Sequence, residues 1–362
     1  MQASISLLRG ALLCSAMLCS AMLYSGTALA DGAVSFYGVV DVGVSVDGGG
    51  RAGTSTRVTS GMATQSRWGL RGVEDLGGNM AAFFVLEGGI HADNGTSTQN
   101  NTLFGRTSIV GLRGSLGSVS VGLQDTPLFT TLNVVVDPLR NGVVRSNNLM
   151  PPTGFRAANS VLYRSPDFNG FSGDLMVAAG EVAGDPAAGR AIGGSFGYSR
   201  GPVAARIAYH RKNNDAPGLS DTDPARNLLL GANYDVGIAR AHVGYEVSKG
   251  RNSAPLNNGV AVFGGAAPVA STDSRALLLG VWVPLGVSTV VLSYVRMDDR
   301  SDLDQDARQL GAAYMFAFSK RSDVYASYGV IRNRNGAAYT EGNSEEPGTG
   351  NRQFAVGLRH RF

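Results

Sequence analysis

The chain has 362 residues, a formal net charge of +3 and a mean hydropathy of +0.00. So small a net charge points to neither nucleic acid nor an anionic surface as partner. The hydropathy is too polar for a bundle of membrane helices, and 50 glycines suit tight turns and close-packed strands rather than helices.

The chain opens as a leader. Arg9 is followed by an apolar run from Gly10 to Tyr24, and Ala28-Leu29-Ala30 is a small-residue cleavage site. This predicts a signal peptide over 1–30 and one mature domain over 31–362. The run is short for a bilayer anchor of ~30 Å. Both cysteines, Cys14 and Cys19, fall inside it, each preceded by Leu rather than by the small residue a lipoprotein needs. The mature domain therefore has no thiol for a disulfide, a metal or nucleophilic catalysis.

After Asp31, apolar residues alternate with polar ones. Val203, Ala205, Ile207 and Tyr209 share one parity, while Arg206 and His210 take the other. The same pattern runs through Ala239–Val247, with Arg240, His242 and Glu246 on the polar side. It returns in Phe354, Val356, Leu358 and Phe362 against Gln353, Arg359 and Arg361. Period two places one face of a strand in an apolar medium and the other in water. The uncharged stretch from Ala276 to Val295 is broken by Pro284-Leu285-Gly286, which predicts a hairpin rather than a spanning helix.

Short turns are expected at 75–79, 114–117, 166–170, 199–202, 235–237, 284–286 and 319–321. They alternate with longer polar segments at 47–60, 91–101, 126–156, 181–189, 211–226, 248–274, 296–306 and 332–351. Such asymmetry predicts an all-β fold, a transmembrane antiparallel β-barrel of about 16 strands. Closure follows from the medium, because lipid offers no partner to the open edges of a sheet. Phe36, Trp68, Tyr163, Tyr198, Tyr209, Tyr245, Trp282 and Tyr294 lie near strand ends, where they are expected to form interfacial girdles.

The longest stretch without strand character, Thr126 to Arg156, carries Pro127, Asp137, Pro138, Asn141, Gly142, Pro151, Pro152 and Gly154. Loops of this length are unusual unless functional or disordered. Alternation places Trp68 and Leu70 toward lipid, so Arg67 and Arg71 point inward. An Arg facing lipid at mid-depth would cost ~2–4 kcal/mol.

Several segments resemble the general porins of Gram-negative bacteria, above all those of β-proteobacteria. They are Ser35–Asp41, Ser66–Gly78, Gly105-Arg106 with Val110-Gly111-Leu112, Ser160–Pro166 and Val356–Phe362. The resemblance implies that 126–156 folds into the barrel as a constriction loop. It also implies that a row of arginines, matched here by Arg67, Arg106 and Arg156, faces acid on that loop, where Asp137 lies. It further implies a homotrimer and a terminal Phe362 read by the barrel-assembly machinery. The chain departs from the pattern in carrying Val39 where some relatives have a base. Its loop is also poor in acid, with Arg140 and Arg145 beside Asp137.

The expected function is passive diffusion of small hydrophilic solutes and ions through a water-filled outer-membrane channel of weak anion preference. Outer-membrane lipid and lipopolysaccharide are the expected surroundings, with no cofactor and no nucleic acid. A solute-selective channel of the same fold is the near alternative, and an adhesin or secreted β-protein the distant one. No fixed internal repeat supports the latter. His91, His210, His242 and His360 sit in no catalytic motif, so no enzymatic activity is expected.

Overall fold

A computed structural model describes residues 33–362 apart from 221, 257, 266, 344 and 345. The expected leader and its cleavage site lie outside the described residues. Seventeen strands follow in chain order. The first six are β1 (Ala33–Gly50), β2 (Gly53–Ser60), β3 (Arg67–Gly77), β4 (Met80–Gly89), β5 (Thr107–Gly114) and β6 (Gly117–Asp125). The next six are β7 (Arg156–Arg164), β8 (Phe171–Ala178), β9 (Ala191–Arg200), β10 (Val203–Lys212), β11 (Ala225–Asp235) and β12 (Arg240–Lys249). The last five are β13 (Asp273–Leu285), β14 (Ser288–Asp299), β15 (Ala307–Ala317), β16 (Ser322–Asn333) and β17 (Arg352–Arg361).

All strands belong to one antiparallel sheet that closes where β17 pairs with β1, from Val39 opposite Arg361 to Gly48 opposite Arg352. β1 pairs with both β2 and β3, so these two are one stave interrupted at 61–66, and the barrel has sixteen staves. No helix among the described residues is long and apolar enough to cross a membrane. The expected hairpin over 276–295 is present, as β13 and β14 turning at Gly286 and Val287.

The interruption in the second stave has a local cause. Asp41 on β1 is fully buried and accepts hydrogen bonds from the main-chain N–H groups of Ala63 (3.0 Å) and Thr64 (2.7 Å) and from the Tyr325 hydroxyl. The carboxylate satisfies donors that the ladder has given up, and Met62 and Ala63 become buried inside the barrel.

The outer face is apolar. Phe36, Leu112, Leu175, Phe196, Leu230, Leu292 and Leu358 are all exposed at outward positions. Phe36 lies 6.3 Å from Trp68 and 5.5 Å from Phe362, and Phe171 lies 4.9 Å from Tyr198, as outer-surface aromatic groups. Trp282 departs from the girdle expected of it. It shares the inward parity of Ala276, Leu278 and Gly280, packs among lumenal residues and lies under the Arg240 guanidinium at 6.0 Å. Its position near a strand end marked it as interfacial, whereas its parity decides its face.

The segment 47–60 also departs from expectation. It is a hairpin between β1 and β2 that turns at Arg51-Ala52, not a loop. Its polar residues hide the strand signal because a ladder standing clear of lipid needs no apolar face. Arg57 there bridges Asp47 (2.6 Å) and Glu346 (2.7 Å).

Candidate functional site

The segment 126–155 folds into the barrel. Its start is capped by Thr126, whose hydroxyl accepts the Phe129 N–H (3.2 Å) and donates to the Gly154 carbonyl (2.9 Å). The Thr126 N–H donates to the Phe155 carbonyl (3.0 Å), and the Phe129 and Phe155 rings meet edge to face at 5.0 Å. These contacts cinch the neck of the loop. Pro127 then begins a helical turn, Pro127–Thr131, that runs on as a π-turn, Leu132–Val136.

The loop lies across β10–β16 because the wall is hollowed to receive it. Gly231 on β11 and Gly244 on β12 are cross-strand partners, and a Cβ on either would collide with Val136. A Cβ at Gly280 on β13 would press on Pro138. A Cβ at Gly311 on β15 or Gly329 on β16 would strike Val144. These are lumenal positions where absence of a side chain creates a niche, and each niche receives a loop residue. Around them Leu128, Leu132, Leu149 and Met150 pack on Leu229, Leu278, Val295 and Ile331. Two further bonds fix the register: the Val135 carbonyl receives the Asn233 amide (3.0 Å) and contacts His242 Nδ1 (3.1 Å). His210, fully buried, borders Gly154 at the far end of the loop. Both histidines serve packing of the loop.

Part of the last loop also enters the barrel. Ala337 to Asn343 are buried, and Glu341 accepts hydrogen bonds from Gln309 on β15 (2.9 and 3.0 Å) and from Asn148 on the constriction loop (3.0 Å). Burial pushes the Glu341 carboxyl up to about 8, and burial draws the nearby Arg145 down to about 10.

The opposite wall, β3 to β7, carries the charge. Arg67 contacts Glu87 at 3.3 Å, Arg106 contacts the same carboxylate at 2.7 Å, and Arg156 contacts Asp125 at 3.0 Å. Tyr37 donates to Glu87 at 2.9 Å, and Arg71 lies over the Tyr37 ring at 5.3 Å. Arg67, Arg106 and Arg156 lie within electrostatic reach of one another. Three guanidinium groups against two carboxylates leave this cluster with one positive charge. Arg113 on β5, Ser118 on β6 and Arg164 on β7 occupy one cross-strand row nearer the short turns, and extend the basic wall.

The structure thus brings Arg67, Arg106 and Arg156 together, with Arg71 close by. It places Asp137 elsewhere. Asp137 is 2% exposed and accepts hydrogen bonds from the N–H of Leu139 (2.8 Å), Asn141 (3.0 Å) and Ser146 (3.3 Å) and from the Ser146 hydroxyl (2.7 Å). Its charge holds the loop's own bend, and the arginines take their carboxylates from the wall. Sequence reasoning missed Glu87, although a lone acid in the apolar run Met80–Gly89 signals a lumenal, paired group. It also missed the roles of Arg113 and Arg164. A potential metal group, His91, Asp93 and Glu346, lies among the long loops, but Glu346 already neutralises Arg57.

A sixteen-stave barrel with an apolar exterior and an infolded loop defines an outer-membrane β-barrel channel. The Gram-negative porin family model matches residues 15–336, and the chain belongs to that family. It is a channel protein, not an enzyme. It is 30% identical to outer membrane porin protein 32 of Delftia acidovorans, with 93% of this chain and 96% of that one covered. It is 29% identical to an outer membrane porin protein of Bordetella pertussis over the same shares. Among solved structures, the anion-selective porin from Comamonas acidovorans superposes with a TM-score of 0.72 at 26% identity, covering 92% of this chain and all of that one.

Proposed function

We propose that the chain forms a water-filled pore for small hydrophilic solutes with a weak preference for anions, and that Arg67, Arg71, Arg106 and Arg156 line its narrow part. One observation carries the reading. The lumenal wall facing away from the packed loop has three arginines sharing two carboxylates, while the one acid on the loop is spent inside the loop. A ring with surplus positive charge lowers the energy of an anion in the neck and raises that of a cation. The anion selectivity named for the Comamonas acidovorans relative agrees in sign. Asp137 acts on the channel by shaping the loop.

Reversal potentials in planar bilayers under a salt gradient test this. Replacing Arg67 and Arg106 by Gln moves the reversal potential toward cations. An unchanged potential removes those side chains from the pore lining. Saturation of current by one solute class would instead favour a solute-selective channel.

The homotrimer rests on family resemblance and is tested by cross-linking in native membranes. Lipopolysaccharide is the proposed outer-leaflet surrounding, and the barrel-assembly machinery the proposed partner in biogenesis. Phe362 suits recognition of an aromatic end: its ring lies outward over Gly38, and its main chain exchanges hydrogen bonds with Gly38 at 3.1 and 3.2 Å. Loss of Phe362 should lower the folded fraction in the outer membrane; full assembly without it would end that assignment. The leader over 1–30 is proposed to be cleaved, which the N-terminal sequence of the membrane-inserted protein decides.

A further inference from the structure

On the outer face of β14, β15 and β16 the cross-strand rows can be read outward from the short-turn end. One row is Val290, Tyr314 and Ala326; the next is Leu292, Ala312 and Tyr328; the next is Tyr294, Leu310 and Val330. These rows face hydrocarbon. The row after them is Arg296, Arg308 and Arg332, three arginines directly opposite one another on three adjacent strands, all exposed. Directly paired residues have their Cβ atoms ~4.5–5.5 Å apart, and like charges at that spacing repel.

Carboxylates do not relieve the repulsion. Among the described residues Arg296 has only a distant contact with Asp298 (4.0 Å), which also pairs with Arg300 (3.4 Å). No ion pair is formed by Arg308, Arg332 or Arg334 among the described residues. Next to them is a cleft of about 240 Å³ lined by Tyr294, Arg308, Leu310, Val330, Arg332 and Arg334. Its lower wall is apolar, with Leu310 52% exposed, and its upper wall is guanidinium. The row sits at the long-loop end of the barrel, where the apolar band gives way to polar surface.

We propose that this cleft binds the phosphate groups of a phosphorylated glycolipid of the outer leaflet. Arg308, Arg332 and Arg334 clamp the phosphate, Arg296 adds charge, and an acyl chain descends over Leu310 and Leu292. Planar guanidinium forks match phosphate oxygens, and a doubly charged phosphate removes the repulsion along the row. An apolar floor directly beneath a basic rim matches a molecule that is anionic at the head and hydrocarbon below. A second copy of this chain meeting the cleft about a twofold axis fits less well, because its own row would bring more positive charge. The assignment rests on lipopolysaccharide being the outer-leaflet surrounding, and it adds the site.

The test uses the full barrel folded in detergent, titrated with lipopolysaccharide, with the same lipid enzymatically stripped of its lipid A phosphates, and with inorganic phosphate. Bound lipid is read by native mass spectrometry. The expected result is tight binding of the phosphorylated lipid. Loss of its phosphates, or the pair Arg308→Gln and Arg332→Gln, should each weaken binding at least ten-fold. Single-channel conductance and reversal potential should be unchanged in the variant, which confirms a folded barrel and a site off the pore. Equal binding by the variant, or by the dephosphorylated lipid, overturns the site. Inorganic phosphate displacing the lipid at equal concentration overturns the lipid as ligand. No binding of any lipopolysaccharide by the unaltered barrel refutes instead the reading on which the site rests.

Discussion

The Asn148 side-chain amide on the constriction loop donates a hydrogen bond to the Glu341 carboxylate on the last loop at 3.0 Å. Two loops 193 residues apart in sequence are thereby joined inside the barrel. Gln309 of the wall donates to the same carboxylate, so the constriction is held from above as well as by its glycine niches. One ionisable group therefore ties the neck of the pore to a loop that opens to the outside.

The latch should depend on pH. The docked Glu341 carboxyl is pushed up to about 8 from an ordinary value of 4.5. Between these values the docked loop keeps a proton that the released loop gives up, so docking weakens as pH rises through the window and is weakest above 8. Gln309, Arg145 and Asn148 oppose the shift and Asp47 adds to it, with burial the largest cause. Single-channel recordings from about pH 5 to about pH 9 should show growing open-channel noise. In Glu341→Gln the noise should no longer change across this range. Noise that rises equally in the variant would place the titrating group elsewhere.

Glu87 should control how far the neck favours anions. It contacts both Arg67 and Arg106, so Glu87→Gln leaves two guanidinium groups without their shared counter-charge. One unit charge acts on an ion roughly 8 Å away in water with about 0.5 kcal/mol, of opposite sign for anion and cation. The anion-to-cation permeability ratio should rise several-fold in dilute salt. The gain should fade as ionic strength rises and screening shortens the reach of the charge. A ratio that falls would contradict a lumenal Glu87.

The sixteen staves and most of their faces were legible in the sequence because the signals are local, whereas infolding of the constriction loop was implied by the family resemblance alone. Period two is written into most strands, and Pro, Gly or Asn marks every short turn but 319–321. The chemistry of the neck was less legible because it depends on which residues meet. Asp137 was read as the arginines' counter-charge because it is the loop's one acid, yet an Asp followed by Pro138, Asn141 and Gly142 is equally the pattern of a carboxylate bonding its own turn. Infolding of Ala337 to Asn343 left no local mark, because Ala337 and Tyr339 become core only through contact with β14–β16 and the constriction loop. The hairpin at Arg51-Ala52 was hidden for the converse reason, since strands outside lipid carry polar residues on both faces.

The paired glycines beneath Val136 should be intolerant of side chains. Gly231 and Gly244 face each other across β11 and β12, and a Cβ on either occupies the space of the Val136 methyl groups. Gly244→Val must displace the loop or strain the wall, at a cost of ~1–3 kcal/mol typical of overpacking. If the loop moves, it moves toward the open lumen, so single-channel conductance should drop or fluctuate while the barrel survives. The same substitution at Gly259, an exposed loop glycine with open space around it and no positive φ, should leave conductance unaltered. Equal conductance in both variants would show that the niche does not hold the loop.

Asp41 on β1 should be the position on which the break in the second stave depends most. It accepts from the N–H groups of Ala63 and Thr64 and from Tyr325, at the point where β2 stops and β3 has not begun. Asp41→Ala leaves the buried Ala63 N–H and the half-buried Thr64 N–H without their acceptor, and a buried unsatisfied group costs about 1–3 kcal/mol. The temperature at which the folded barrel converts to the unfolded form on detergent gels should fall. Tyr325→Phe leaves one oxygen of the buried carboxylate without its donor, while the other oxygen still holds both N–H groups, so its fall should be smaller. The order of the two variants carries the argument. If Tyr325→Phe proved as damaging as Asp41→Ala, the break in the stave would be held from β16 and not by the carboxylate.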